Sequence, residues 1–237
     1  MAHSRAELAE FQSGETRMVF AMVRATSELL KMPDNEADAW RQRTRDDLMC
    51  PVPRCSTPDL LAVHRETRRD GFRHKSSGGG DHKPESVFHV QAKGQIANWL
   101  RSEYPRSTTT IEKPSTPARE RVADLMIESR AGHRVAFEVQ YASLTIKHWK
   151  ERHRSYSLDH KIADVWVFGH TGRQFKATAD GILKLNELQQ HIAASGAMVF
   201  WLNPITGQVA TAEEVVYAGG QKYRIPACKE GAHKTSA

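Results

Sequence analysis

The sequence has no apolar run of 18 residues, and its polar N-terminus (MAHSRAELAEFQSGE) has no signal-peptide core. These absences argue against a membrane-spanning helix or a secretory route, so a cytoplasmic protein is expected. Cysteine is scarce, with only Cys50, Cys55 and Cys228. An odd, small number argues against a disulfide framework and leaves room for a metal site. There is no internal repeat, no phosphate-cradling glycine loop after a strand and no Ser/His/Asp order of the kind hydrolase triads use. Charge is not strongly one-sided either. The surplus of +6, with 12 histidines besides, tilts the partner class only modestly towards polyanions such as nucleic acid. The 237 residues are 39% hydrophobic and 26% charged, enough for one substantial core and a small accessory module.

The most informative stretch runs from Val122 to Gln140. Val122–Ile127 and Arg134–Gln140 are rich in β-branched and apolar residues, with Gly132 between them, and predict a β-hairpin. A three-residue loop, Arg130-Ala131-Gly132 with the glycine left-handed, sets Ser129 opposite His133. Ala123, Leu125 and Ile127 then oppose Val139, Phe137 and Val135 on an apolar face. The other face pairs Val122 with Gln140, Asp124 with Glu138 and Met126 with Ala136. Two opposed carboxylates repel by up to about 1 kcal/mol, whereas a divalent cation between them turns the repulsion into attraction. Asp124 and Glu138 are therefore candidate Mg²⁺ or Mn²⁺ ligands, with Gln140 projecting on the same side. A one-residue slip would destroy the arrangement.

Upstream, residues 1–16 read as a flexible or weakly helical leader. Residues 17–83 read as a small module with a strand at 17–23 and a charged helix from Ala37 to Leu48. Cys50 and Cys55 lie in a Pro-rich turn and are followed by His64, His74 and His82. This set suggests a zinc-ribbon-like element using Cys50, Cys55, His74 and His64. The Gly/Ser-rich stretch 75–83 predicts a connector and a domain boundary.

From Glu85, Phe88, Ala92, Ile96 and Leu100 recur at helical spacing as far as about Tyr104, with Ser86 as N-cap. His89 and Lys93 share a neighbouring face. Thr108–Lys113 predicts a strand carrying Glu112. After the hairpin, a basic helix capped by Ser143 runs to about Lys161. It carries Lys147, Arg152 and Tyr156, suited to holding a phosphodiester beside the carboxylates. Asp164–Phe168 predicts a buried strand, so the order from 84 to 170 is helix, three strands, helix, strand. Residues 171–228 read as a C-terminal α/β extension with a loop at 172–181, a helix at 183–194 and a strand at 198–202. A disordered tail, 229–237, is expected after it.

The residues Arg121-Val122-Ala123-Asp124, Ala136 to Ser143, Arg152, Tyr156, Ile162 and Val165-Trp166-Val167 together resemble the competence protein CoiA-like family. Cys50-Pro51 and Phe72-Arg73-His74 resemble its N-terminal Cys/His element, and Glu85, His89 and Lys93 its first core helix. The similarity covers residues 17–170. It implies a restriction-endonuclease-like α/β (α+β) fold of the PD-(D/E)xK superfamily, with an αβββαβ core, a mixed sheet and the Cys/His element before it. It also implies a DNA nuclease in which Asp124 and Glu138 hold Mg²⁺ or Mn²⁺, with Gln140 and Glu112 at the catalytic site. His89, Lys93, Arg121, Lys147, Arg152 and Tyr156 become nucleic-acid contacts, and Zn²⁺ a structural metal. Two departures stand out. Gln140 replaces the superfamily's usual Lys, removing a cation, and Gly71 replaces a His that often precedes Phe72.

Overall fold

The protein is described from a computed structural model covering residues 5–12, 18–66, 69–76, 82–115, 121–179, 182–212, 222–224 and 228–229. In chain order come α1 (Arg5–Gln12), β1 (Phe20–Val23), β2 (Leu29–Lys31), α2 (Ala37–Asp47), β3 (Leu48–Met49), β4 (Leu60–Val63), β5 (Gly71–His74) and α3 (Pro84–Glu103). Then follow β6 (Thr108–Pro114), β7 (Val122–Glu128), β8 (Arg134–Gln140), α4 (Ile146–Arg154), β9 (Ala163–Gly169), β10 (Ala177–Ala179) and β11 (Ile182–Lys184). The chain closes with α5 (Glu187–Ala194), β12 (Phe200–Leu202), β13 (Val209–Thr211), β14 (Lys222–Arg224) and β15 (Cys228–Lys229). It divides into a unit of residues 15–95 and a unit of residues 1–14 with 96–237.

The larger unit is built on a seven-stranded mixed sheet ordered β15-β13-β12-β9-β8-β7-β6. The pairs β8/β9 and β9/β12 are parallel and the others antiparallel. The run α3-β6-β7-β8-α4-β9 is the expected αβββαβ order. The β7/β8 register is also as expected, with Leu125 opposite Phe137, Met126 opposite Ala136 and Ile127 opposite Val135. Its loop has Gly132 at φ +81°, and the Ser129 N–H donates to the His133 carbonyl at 2.9 Å.

Both hairpin faces are buried. Ala123, Met126 and Ala136 pack with Tyr156 and Ile162. Elsewhere in the unit Trp149, Trp166, Phe168, Phe175, Leu188 and Trp201 form a larger core. Leu8 and Phe11 of α1, each 1% exposed, belong to that core, so the expected flexible leader contains a docked helix. Beyond residue 170, β12 and β13 likewise continue the main sheet through a second parallel crossover, β9–α5–β12, while β10 and β11 pair with β14 in a separate sheet.

Several boundaries differ from expectation. Pro84, not a residue after Ser86, is the first residue of α3, where its missing N–H costs nothing. Thr145 caps α4 by accepting from the His148 N–H, so Ser143 does not; a π turn over Ser155–Asp159 follows the helix. Leu183 lies in a strand, as do Ala177–Ala179 in the expected loop and Lys229 in the expected tail. The rest of that tail, 230–237, lies outside the described residues, as do 13–17 and 77–81.

The smaller unit has a β2-β1-β3 sheet, a β4-β5 ribbon and α2 around Met18, Ala21, Met32, Leu48, Leu60 and Phe72. A Cβ on Gly71 would stand 2.6 Å from the Met18 carbonyl oxygen, which also accepts the Phe72 N–H. Close backbone approach therefore requires glycine where the family resemblance led to His.

Candidate functional site

The β7/β8 ladder stops at Leu125–Phe137, one position before the two carboxylates. There the Asp124 carboxylate replaces a backbone acceptor, with Oδ2 taking the Val139 N–H at 2.9 Å. On the other side of β7, Glu112 falls between the pairs Ile111–Leu125 and Lys113–Ala123. Register thus sets Glu112, Asp124 and Glu138 across three adjacent strands. Glu112 is exposed and has φ +53°, an uncommon conformation for a residue with a Cβ.

Glu138 is 1% exposed. Arg152 Nη2 donates to its Oε2 at 2.7 Å and the Tyr156 hydroxyl to its Oε1 at 2.5 Å. Arg152 and Tyr156 are four apart in sequence, where the end of α4 passes into the π turn, so both reach one carboxylate. Burial pushes the Glu138 carboxyl up to about 7, against the pull of Arg152 and Tyr156; the charges of Asp124 and Asp164 add to the rise. Burial and the neighbouring Glu138 in turn push the Tyr156 phenol up, keeping it neutral. Fully buried and bonded to Glu138, Tyr156 is a carboxylate partner and not the expected nucleic-acid contact. Arg152, also expected at the phosphate, faces Glu138 with its guanidinium 5.4 Å from the Trp166 ring centroid.

Gln140 is half-buried, and its Nε2 donates to the Ala142 carbonyl. Lys147 is exposed on α4, as are Lys150 and Arg154 further along that helix, and Arg121 is half-buried immediately before β7. In the smaller unit His89 is half-buried and Lys93 only 5% exposed, so of these two expected nucleic-acid contacts Lys93 is largely covered.

Asp164 was not singled out in the sequence. In the parallel β8/β9 register it lies beside Ala136, on the Glu138 face. Trp166 Nε1 donates to its Oδ2 at 2.6 Å, and His153 Nδ1 lies 2.8 Å from its Oδ1. His153 stacks on Trp149 at 4.9 Å and 5°. The non-local strand pairing that creates this group leaves no local pattern to read.

The smaller unit brings Cys50, Cys55, His74 and His82 together, their ligand atoms all within 4.8 Å of one another. Cys50 Sγ is 3.3 Å from His82 Nε2 and Cys55 Sγ 3.4 Å from His74 Nε2. A zinc tetrahedron with ordinary Zn–S and Zn–N bonds has S···N edges of about 3.6 Å, so the four fit that metal. Arg54, at φ +60°, turns the Cys50–Cys55 loop back so that both sulfurs converge. Without a cation, burial pushes the Cys50 thiol up to about 12, with Cys55 adding to the rise, and burial and His82 lower His74.

His64 is not among the four. The ribbon pairs Leu60 with His74 and Val63 with Gly71, so His64 follows β4 at the opposite end, about 13 Å away at strand spacing. There its Nδ1 is 3.1 Å from Asp70 Oδ1. His82 takes the fourth position.

No helix among the described residues is long and apolar enough to cross a membrane. No curated protein and no solved structure matches the chain. Residues 85–226, more than half of the sequence, match the family described as competence protein CoiA, nuclease-like domain.

Proposed function

We infer the function from one premise: this chain belongs to the competence protein CoiA family through its nuclease-like domain. It acts as a Mg²⁺- or Mn²⁺-dependent nuclease on DNA phosphodiesters, in uptake, recombination or processing of DNA. The observation that carries this reading is the junction of Asp124 and Glu138 where their ladder ends. Burial is the main reason the Glu138 carboxyl is raised and the Asp124 charge adds to it; a bound divalent cation would relieve that repulsion. Asp124 and Glu138 would hold the ion, which supplies charge stabilisation and an activated water. Glu112, exposed in the same row, adds negative charge at the rim. Arg152 and Tyr156 orient Glu138, Gln140 offers its amide to a water, and Lys147 and Arg121 meet the phosphates. Zn²⁺ on the Cys/His cluster is structural.

A second reading is a binding module with little or no cleavage. It is favoured by Gln140, which lacks the charge of Lys and donates to the nearby Ala142 carbonyl.

The test compares wild type with Glu138→Ala on single-stranded, duplex and branched DNA in Mn²⁺, Mg²⁺ or EDTA. Metal-dependent cutting by the wild type, lost in the variant, is expected. Equal cutting by both proteins would remove the site from the reaction. Binding without cutting on any substrate would favour the second reading.

A further inference from the structure

Large exposed aromatics are few among the described residues, and two of them touch. Trp99, 39% exposed, lies in the last turns of α3, and Tyr104, 49% exposed, directly follows that helix. Their ring centroids are 6.1 Å apart at 86°, edge to face. An edge-on contact leaves broad ring faces to solvent. The neighbours are charged: Arg101 and Arg106 are exposed on the same short segment, with Glu103 the one acid between them. The Tyr104 N–H donates to the Leu100 carbonyl, and the Ser107 N–H to that of Tyr104. These bonds fix the corner before β6 begins at Thr108. An ordered pair of exposed rings flanked by guanidinium groups is not what a solvated helix end needs.

We propose that the Trp99–Tyr104 corner is a stacking platform for unpaired bases of a single-stranded nucleic acid, with Arg101 and Arg106 meeting its phosphates. Every base has a π face, so stacking on an aromatic ring is strong and tolerant of sequence. Bases inside a duplex already stack on one another and do not offer that face. The platform therefore selects single strands over duplex. A second copy of the chain fits less well, because self-association through this patch would crowd like guanidinium charges. The corner is followed by β6, along which Glu112 lies four residues after Thr108, about 13 Å away at strand spacing. One bound strand can thus reach from the platform towards the carboxylate row. That extension rests on the nuclease reading; the platform itself does not.

The experiment measures anisotropy of a labelled 20-nucleotide oligothymidylate and of a blunt 20-base-pair duplex on the zinc-loaded protein, with no Mg²⁺ or Mn²⁺ added so that cutting is prevented. The Trp99→Ala/Tyr104→Ala variant is compared with wild type, alongside Arg101→Gln/Arg106→Gln. The aromatic variant is expected to raise the single-strand Kd about five-fold or more and leave the duplex Kd and the melting temperature unchanged. The arginine variant is expected to lower the salt dependence of single-strand binding. Trp99→Phe should retain most of the affinity, since a ring remains. Unchanged single-strand affinity in the aromatic variant, or no single-strand binding by wild type, would overturn the platform. So would loss of self-association in the variant with oligonucleotide binding intact, which would assign the patch to a second copy. Cleavage defects in Glu138→Ala bear only on the nuclease reading, because binding here is measured without Mg²⁺ or Mn²⁺.

Discussion

Glu138 is held between opposing influences. Burial, Asp124 and Asp164 favour its neutral form; Arg152 and Tyr156 favour the carboxylate. With its carboxyl raised from 4.5 to about 7 by folding, the folded protein binds this proton more tightly than the unfolded chain does. Stability from this group is therefore present at low pH and lost as pH rises from about 4.5 through 7. Without added Mg²⁺ or Mn²⁺, zinc-loaded wild type should lose on the order of 3 kcal/mol between these limits relative to Glu138→Gln, which has no such proton. Urea unfolding at pH 5 and pH 8 checks this, and equal pH dependence in the two proteins would contradict it. At the residue scale, Asp124 and Glu138 were legible because alternation and loop parity fix which side chains share a face. The partners of Glu138 were less so. Arg152 and Tyr156 read as phosphate contacts, because a basic helix in sequence does not reveal that these two positions turn inward. Asp164 was missed because its place depends on a parallel pairing after a crossover.

At the scale of elements, the β4-β5 ribbon shows what ligand spacing leaves open. Cys50, Cys55 and three following histidines gave the donor types, but the antiparallel pairing decides which histidines reach the sulfurs. Purified protein should carry one zinc per chain by elemental analysis. Cys50→Ser and His82→Ala should lose it, whereas His64→Ala should retain it and disturb only the Asp70 contact. Loss of zinc in His64→Ala with retention in His82→Ala would reverse the assignment. Gly71 teaches the same lesson, since its departure from the family pattern follows from the Met18 backbone against it. The docking of α1, read in the sequence as a flexible or weakly helical leader, escaped for a related reason. Leu8 and Phe11 are its only large apolar residues, and their burial depends on a core formed by residues far along the chain.

At the scale of the molecule, the central order of elements was readable because each has strong local periodicity and the hairpin loop fixes its own register. The extension after residue 170 looked separable because its strands are only three residues long or shorter. Its β12, β13 and β15 belong instead to the main sheet, reached through a second parallel crossover, whereas β10, β11 and β14 form a three-stranded sheet of their own. That sheet sets a carboxylate row on β6, β7 and β8, the proposed metal centre. The most direct measurement is Mn²⁺ titration of the zinc-loaded protein followed by electron paramagnetic resonance, which keeps the Cys/His cluster out of the signal. Wild type should bind at least one Mn²⁺ that both Asp124→Asn and Glu138→Gln lose or bind more than ten-fold more weakly, with zinc content unchanged. Equal Mn²⁺ uptake by wild type and both variants would contradict the account.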